Sequence, residues 1–395
     1  MYLTSLLALF LGLVAHAAPQ AAPAAGAKVT ARTPIDLPRP SETLVLAAAD
    51  LQRLLAVDDV RRVQVRDEAG KPVLSQAIDL DDDGKFDQLI FQADFAPKQV
   101  KTFTLVTGQR QVPRIEDFKA YGRFVRERRD DFAWENDRIA HRIYGAALET
   151  WAQEPLTSSA VDVWTKRVRK LVINDWYMVD DYHQDNGTGG DFYSAGKSRG
   201  CGGNGVWADG RLYPSANFRN SRVLANGPIR VMFELTYLPW DVAGAKVSEV
   251  KRITLDAGHN LDRFESFYKV EGGRAPATFA AGIKKAPGST TVTSQERGVL
   301  RTWEAFKAAG AGNLGCGIVV DPAHLVEFTE ADGNYLAVTR VAEGQPATYY
   351  AGFGWDKSGD FKGVEDWDRY LEQAAQRLRA PIQVSVDKDT PRGEL

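Results

Sequence analysis

The stretch RVMFELTYLPW at 230–240 places Val231, Phe233, Leu235 and Tyr237 on one face at every second residue. A period of two belongs to a strand and not to a helix. SEVKRITLD, LDRFESFYKVEG, NYLAVTRV, ATYYAGFGW and PIQVSVDK repeat that pattern along the C-terminal half. Strands with one apolar face must bury it, so many of them in succession require sheets packed face to face. The chain shows no internal repeat of the kind that builds a propeller or a solenoid. The spacing therefore predicts an all-β protein with few helices. Its main body, residues 111–395, is expected to be one large antiparallel two-sheet sandwich.

Ahead of it, residues 28–110 read as a small N-terminal β-unit. LVL (44–46), VQV (63–65), VLSQAIDL (73–80), FDQLIFQADF (86–95) and KTFTLVTG (101–108) are strand-like there. AAADLQRLLAV (47–57) has helical spacing. A second helix is expected in VEDWDRYLEQAAQRLRA, where Trp367, Tyr370, Leu371, Ala374 and Leu378 share a stripe and Pro381 stops the run. The apolar run SLLALFLGLV (5–14) is too short to span a bilayer, and Ala15-His16-Ala17 follows as a small-x-small cleavage site. Residues 1–17 thus read as a signal peptide and 18–27 as an Ala/Pro linker. The expectation is a periplasmic or secreted protein with no membrane contact after processing.

Charge and residue usage exclude several functions. The 49 basic and 52 acidic side chains leave a net charge of −3, without the basic surplus that nucleic acid requires. No GxGxxG after a strand, GxxxxGK[ST], GxSxG or HExxH is present, so nucleotide, α/β-hydrolase and zincin chemistries lose their support. No cofactor is expected to be required. The two cysteines, Cys201 and Cys316, lie in GCGG and LGCG and are read as one disulfide or as two buried thiols. In DLDDDGKFD, Asp79, Asp81, Asp83 and Asp87 match calcium-loop positions 1, 3, 5 and 9, but position 12 is Ile90. The segment is either a structural calcium site or an acidic hairpin turn.

Polar density is highest between Arg123 and Phe218. One block, 126–145, carries Trp134, Glu135, Asn136, Asp137, Arg138, His141, Arg142 and Tyr144. Another, 162–207, carries Lys166, Asp180, Asp181, Tyr182, His183, Asp185, Asp191, Tyr193 and Arg199 among many glycines. Here the chain resembles a family of secreted bacterial proteins catalogued as domain of unknown function 4861. The resemblance rests on FAWENDRIAHRIYG (132–145), DVWTKR (162–167), WYMVDDYHQDNGTGGDFYSAGKSRGCGG (176–203), NGPIR (226–230), KRITLDAGHNLDRFES (251–266) and DLDDDGKFDQLIFQ (79–92). It implies a β-supersandwich of the galactose-mutarotase type. It also implies a place among secreted enzymes that degrade plant and algal polysaccharides, some of them lyases or dehydratases on uronic-acid sugars.

The chemistry of the residues can be read beside that. Aromatic planes stack on sugar rings, amides and carboxylates bond hydroxyls, and arginine pairs with a uronate. β-Elimination needs a base, a proton donor and a neutralised carboxylate. Tyr182 and His183, with Arg138, Lys166 or Arg199, would supply them. The leading expectation is therefore a carbon–oxygen lyase or dehydratase on uronate-containing oligosaccharides. His183, Tyr182 and His141 would be catalytic. Trp134, Asn136, Asp137, Arg138, Lys166, Asp191, Tyr193 and Arg199 would bind substrate. Glycoside hydrolysis by two of the carboxylates, a mutarotase using His183, His141 and Asp191, and a non-catalytic glycan-binding protein are the alternatives. Each residue also has a structural reading: Trp134 as core, His141 as a buried bonded imidazole, Arg138 as the partner of Glu135, and Asp180 with Asp181 as turn formers.

Overall fold

A computed structural model describes residues 26–153, 156–179, 182–273 and 276–388. The signal-peptide reading and most of the linker lie outside the described residues. Gly26 and Ala27, expected to end the linker, instead open the strand Gly26–Arg32.

The alternating segment forms the strand Arg230–Val242, and Val231, Phe233, Leu235 and Tyr237 are all buried. It is second in an eight-stranded antiparallel sheet. The order runs Asn220–Ala225, Arg230–Val242, Ala245–Asp256, Leu261–Val270, Ala347–Trp355, Asn313–Val319, Val299–Ala305 and Thr290–Ser294. Two five-stranded sheets cover its inner face. One is built around Cys201–Ala208, Thr278–Lys284 and Asn334–Arg340. The other is ordered Gly189–Gly190, Val161–Lys166, Ala140–Ile143, Asp131–Asn136 and Ala120–Val125. Phe132, Trp134, Phe233, Phe264, Phe279, Ile318 and Phe353 share one core across all three. The architecture is the expected supersandwich, with a covering layer divided in two.

Three α-helices occur among the described residues: α1 (Ala48–Leu55), α2 (Ile173–Val179) and α3 (Val364–Arg379). Helices α1 and α3 stand where the spacing placed them. Helix α3 lies on the outer face of the large sheet through Trp367, Leu371 and Ala375, which pack on Val299 and Val319. Leu378, expected in the buried stripe, is 37% exposed. Helix α2 was not anticipated. It caps the outer side of the Asp131–Asn136 sheet through Ile173, Trp176 and Tyr177. Among the described residues, no helix is long and apolar enough to cross a membrane.

The N-terminal unit has its own core around Val29, Leu44, Leu51, Phe91 and Leu105. Its five-stranded sheet takes its edge strand, Gln383–Lys388, from the end of the chain. Gln88–Phe95, in a separate three-stranded sheet, alternates between two interiors. Leu89 and Phe91 enter this core, while Ile90 packs on Ile229 and Met232 of the large sheet.

Candidate functional site

The Asp131–Asn136, Ala140–Ile143 and Val161–Lys166 strands are buried on both sides, so their period of two sorts side chains between two interiors. Register places His141 beside Trp134 and Val163, facing the large sheet. Arg142 stands beside Asp162 and faces α2.

On the inner side, Trp134 Nε1 donates to Asp262 Oδ1 at 2.7 Å. His141 stacks on Trp134, with Nδ1 2.8 Å from the Asp162 carbonyl and Nε2 3.1 Å from Asp262 Oδ2. Both rings have 0% exposure. Trp134 is therefore not a sugar platform and His141 is not a catalytic group in this arrangement, because the core excludes substrate from both. Asn136 is also structural. Its side chain donates to the Asp256 and His259 carbonyls and accepts from the Arg138 and Ile139 amides. Asp137 accepts from Gly258 N at 2.6 Å.

The cations expected to bind acid are engaged elsewhere. Lys166 Nζ donates to Glu135 Oε2 at 2.6 Å and to the Asn136 carbonyl at 2.5 Å, with zero exposure for both side chains of the ion pair. Glu135 also accepts the Val172 and Ile173 amides at the start of α2. Arg138 pairs with Asp360, which also takes Arg169. Arg199 is buried, donates to Ser159 Oγ at 3.3 Å, and burial lowers its pKa to about 10. Tyr193 is buried beneath the Lys284 ammonium, which lies 4.1 Å from the ring centroid. These residues do not converge on one pocket with His183.

A different group does converge. Arg142 Nε donates to Asp162 Oδ2 at 2.7 Å, Nη2 donates to Asp191 Oδ2 at 2.9 Å, and Nη1 lies 3.8 Å from Asp131 Oδ2. Tyr144 donates to Asp162, and Tyr177 donates to Asp131. Burial pushes the Asp131 carboxyl up to about 7, against the pull of Arg142 and Arg128. Burial works against the Arg142 charge, but Asp191 and Asp162 outweigh it and hold the guanidinium firmly protonated. Tyr182 lies over Trp164, and its hydroxyl accepts from Arg128 Nε at 2.9 Å. It is buried, so it holds the loop instead of meeting substrate.

His183 stands at the rim of this cluster. Its side chain is 63% exposed, and Nδ1 lies 3.6 Å from Asp191 Oδ2 and 3.4 Å from the Asp191 carbonyl. Of the predicted catalytic residues it alone is open to solvent. Asp180 and Asp181, just before it in sequence, lie outside the described residues. Asp185 accepts from the Gly187 and Gly189 amides and pairs with Arg167, shaping the same loop. Sequence reasoning placed Arg142 in the polar block without a role, and it did not single out Asp131 or Asp162. The available signal was a carboxylate inside an apolar strand, as in AVDVW, since an acid there needs a buried cation.

The acidic loop is a turn in which Asp79 accepts the Asp82 and Gly84 amides, Asp81 the Asp83 amide and Asp87 the Leu80 amide. Carboxylate oxygens of Asp79, Asp81 and Asp87 lie within 4.8 Å of one another. Asp83 falls outside that group and accepts from Lys85. Ile90, at the twelfth position, is buried and offers no ligand. Cys201 and Cys316 are free, buried thiols, and Cys201 donates to the Gly352 carbonyl.

A large antiparallel sheet faced by a second β-layer, with an arginine-centred acid cluster under an exposed histidine, defines an all-β supersandwich protein. Within that class the chain belongs to the family described as "Domain of unknown function (DUF4861)", which matches residues 32–384. It is 32% identical over 373 residues to "Uncharacterized protein P7" of Formosa agariphila, covering 91% of this chain and 93% of that one. Its fold is similar to an alpha-mannosidase from Enterococcus faecalis V583, with a TM-score of 0.50, 11% identity, and coverage of 93% of this chain and 46% of that one. A protein in the glycosyl hydrolase family 38 from Enterococcus faecalis matches with a TM-score of 0.51 and 12% identity, over 95% of this chain and 48% of that one. The chain thus spans about half the length of these two solved structures. The likeness is one of fold.

Proposed function

We propose that the protein is a carbohydrate-active enzyme in which His183 moves a proton at the sugar, backed by Asp191. The observation that carries this is an exposed imidazole resting on a buried carboxylate that Arg142 holds in place. A fixed carboxylate beside an imidazole orients the ring. The fold shared with an alpha-mannosidase supports carbohydrate as the substrate class.

Hydrolysis of a glycosidic bond, or mutarotase-type proton transfer at an anomeric centre, fits better than β-elimination. Elimination needs a free cation to neutralise the uronate. Arg138 and Lys166 are bound to carboxylates, and Arg199 is buried. A panel of neutral and uronic oligosaccharides separates the readings. A hydrolase raises reducing ends without new ultraviolet absorbance, and a mutarotase changes only the anomer ratio. A conjugated double bond formed by the parent and lost in His183→Ala would restore the lyase. Retained sugar binding without turnover would make this a glycan-binding protein. His183→Ala should lower turnover by about 10²–10⁴-fold, the usual share of one acid–base group, with little change in melting because the ring is exposed.

Calcium on Asp79, Asp81 and Asp87 stays part of this proposal as a structural ion. A melting temperature raised by calcium but not by magnesium would support it, and equal effects would remove it.

A further inference from the structure

On the face of the large sheet opposite to His183, α3 lies across the strands and leaves two adjoining hollows. One, about 350 Å³, is lined by Arg39, Arg230, Arg263, Tyr370 and Arg377 among others. The second, about 450 Å³, includes His324, Arg340 and Arg379. Tyr350 and Leu378 line both, so the hollows form one groove.

The charges in this groove do not cancel. Arg39 pairs with Glu42 at 3.0 Å, Arg230 with Asp256 at 2.6 Å and Arg263 with Glu265 at 2.9 Å. Arg340, Arg377 and Arg379 have no such partner among the described residues, and the one further lining carboxylate, Asp321, lies 3.6 Å from His324, so cations outnumber carboxylates there. Arg377 donates to the Pro38 carbonyl and to Gln373 Oε1. Arg340 donates to the Ala323 carbonyl, and Arg379 to that of Glu296. Glu42, whose field reaches Arg377, is already bonded to Arg39. Arg377 and Arg379 stand in the last turn of α3, where the helix dipole favours a cation. That accounts for only part of their charge, and it does not apply to Arg340, which comes from a strand. A concentration of uncompensated guanidinium in a chain of net charge −3 is built to meet anions.

The shape narrows the ligand. A single inorganic anion needs its donors gathered around one point, whereas here Arg377 lines one hollow and Arg340 and Arg379 line the other. Tyr350 and Leu378 line both hollows and offer apolar surface of the kind on which sugar rings rest. Arginine forks bind planar carboxylates and sulfate esters bidentately. We propose that this groove binds an anionic saccharide segment, one whose sugars carry carboxylate or sulfate groups, at a site separate from His183. This rests on the carbohydrate reading above.

The test titrates the whole chain by calorimetry with oligogalacturonate, with a sulfated dextran oligomer, with an uncharged dextran oligomer and with inorganic sulfate. The charged oligomers should bind with an affinity that falls as salt rises. Replacing Arg340, Arg377 and Arg379 together by Gln should weaken them about tenfold or more, the scale of a few lost charge-assisted hydrogen bonds. His183→Ala should leave this affinity unchanged, and an unaltered melting temperature shows that the triple variant is folded. Preference between oligogalacturonate and sulfated dextran identifies which anion the groove reads. Inorganic sulfate binding as tightly as the oligomers would overturn the saccharide assignment. So would charged-oligomer binding that survives the triple substitution. Binding or turnover of neutral sugar alone would overturn this groove while leaving the carbohydrate reading intact. Failure to bind or turn over any sugar would overturn both.

Discussion

Asp131 illustrates how much one carboxyl depends on its surroundings. Burial raises it from 3.8 to about 7, although Arg142, Arg128 and the Tyr177 hydroxyl all favour its charged form. Between those values the folded protein keeps the proton and the unfolded chain releases it. The native state then binds more protons, so stability falls as pH rises from about 4 to 7. The loss attributable to this group is on the order of 4 kcal/mol. Urea unfolding across that range should show the slope in the parent and a shallower one in Asp131→Asn. An equal slope in both would show that the carboxyl titrates normally. At this scale the exposure of His183 was legible, because its polar, glycine-rich loop cannot be core. Trp134 and Lys166 were misread because residue type carries no record of environment. Trp134 suits a core as well as a sugar, and Lys166 becomes structural only through Glu135 across the sheet.

Helix α3 shows the same division for an element. Its 3.6 periodicity announced a helix and the buried face of Trp367 and Leu371. Its seat was not announced. Gly315 and Gly354, on neighbouring strands, leave the floor on which Trp367 lies. A Cβ at either would come within 2.4 and 2.7 Å of that ring. Gly315→Val should therefore lift α3. The expected cost is about 1–3 kcal/mol, typical of overpacking, with faster proteolysis around residues 356–381. Unchanged melting and cleavage would show that the helix is not held by that contact. The exposed Leu378 has a related cause. The helix's last turn borders the groove instead of the sheet, so the residue keeps its stripe position but loses its partner. Helix α2 escaped notice because it is one short turn pair inside a long polar segment, although Ile173, Trp176 and Tyr177 do have helical spacing.

For the whole molecule, the joint between the N-terminal unit and the large sheet matters most. Gln76 crosses it. Its Oε1 accepts the Ile229 and Arg230 amides, and its Nε2 donates to the Arg230 carbonyl. Gln76→Ala would strand the buried Ile229 amide at about 1–3 kcal/mol and unpair the half-buried Arg230 backbone as well. Calorimetry should then resolve two unfolding transitions where coupled units give one. A single transition at the parental temperature would mean that other contacts carry the coupling. The strand Gln383–Lys388 binds the unit a second way, by pairing with Gly26–Arg32. No local pattern could reveal that pairing.

What the amino-acid order determined alone was strand identity, strand face, two of the helices and an open polar loop around His183. All of these follow from backbone geometry acting over a few residues. Only the tertiary structure decided which charges are spent and which are free. Lys166 meets Glu135 across 31 positions, Trp134 meets Asp262 across 128, and Arg138 meets Asp360 across 222. A side chain's chemistry depends on its partner and its burial, and both are set by contacts that the chain makes only when it has closed on itself.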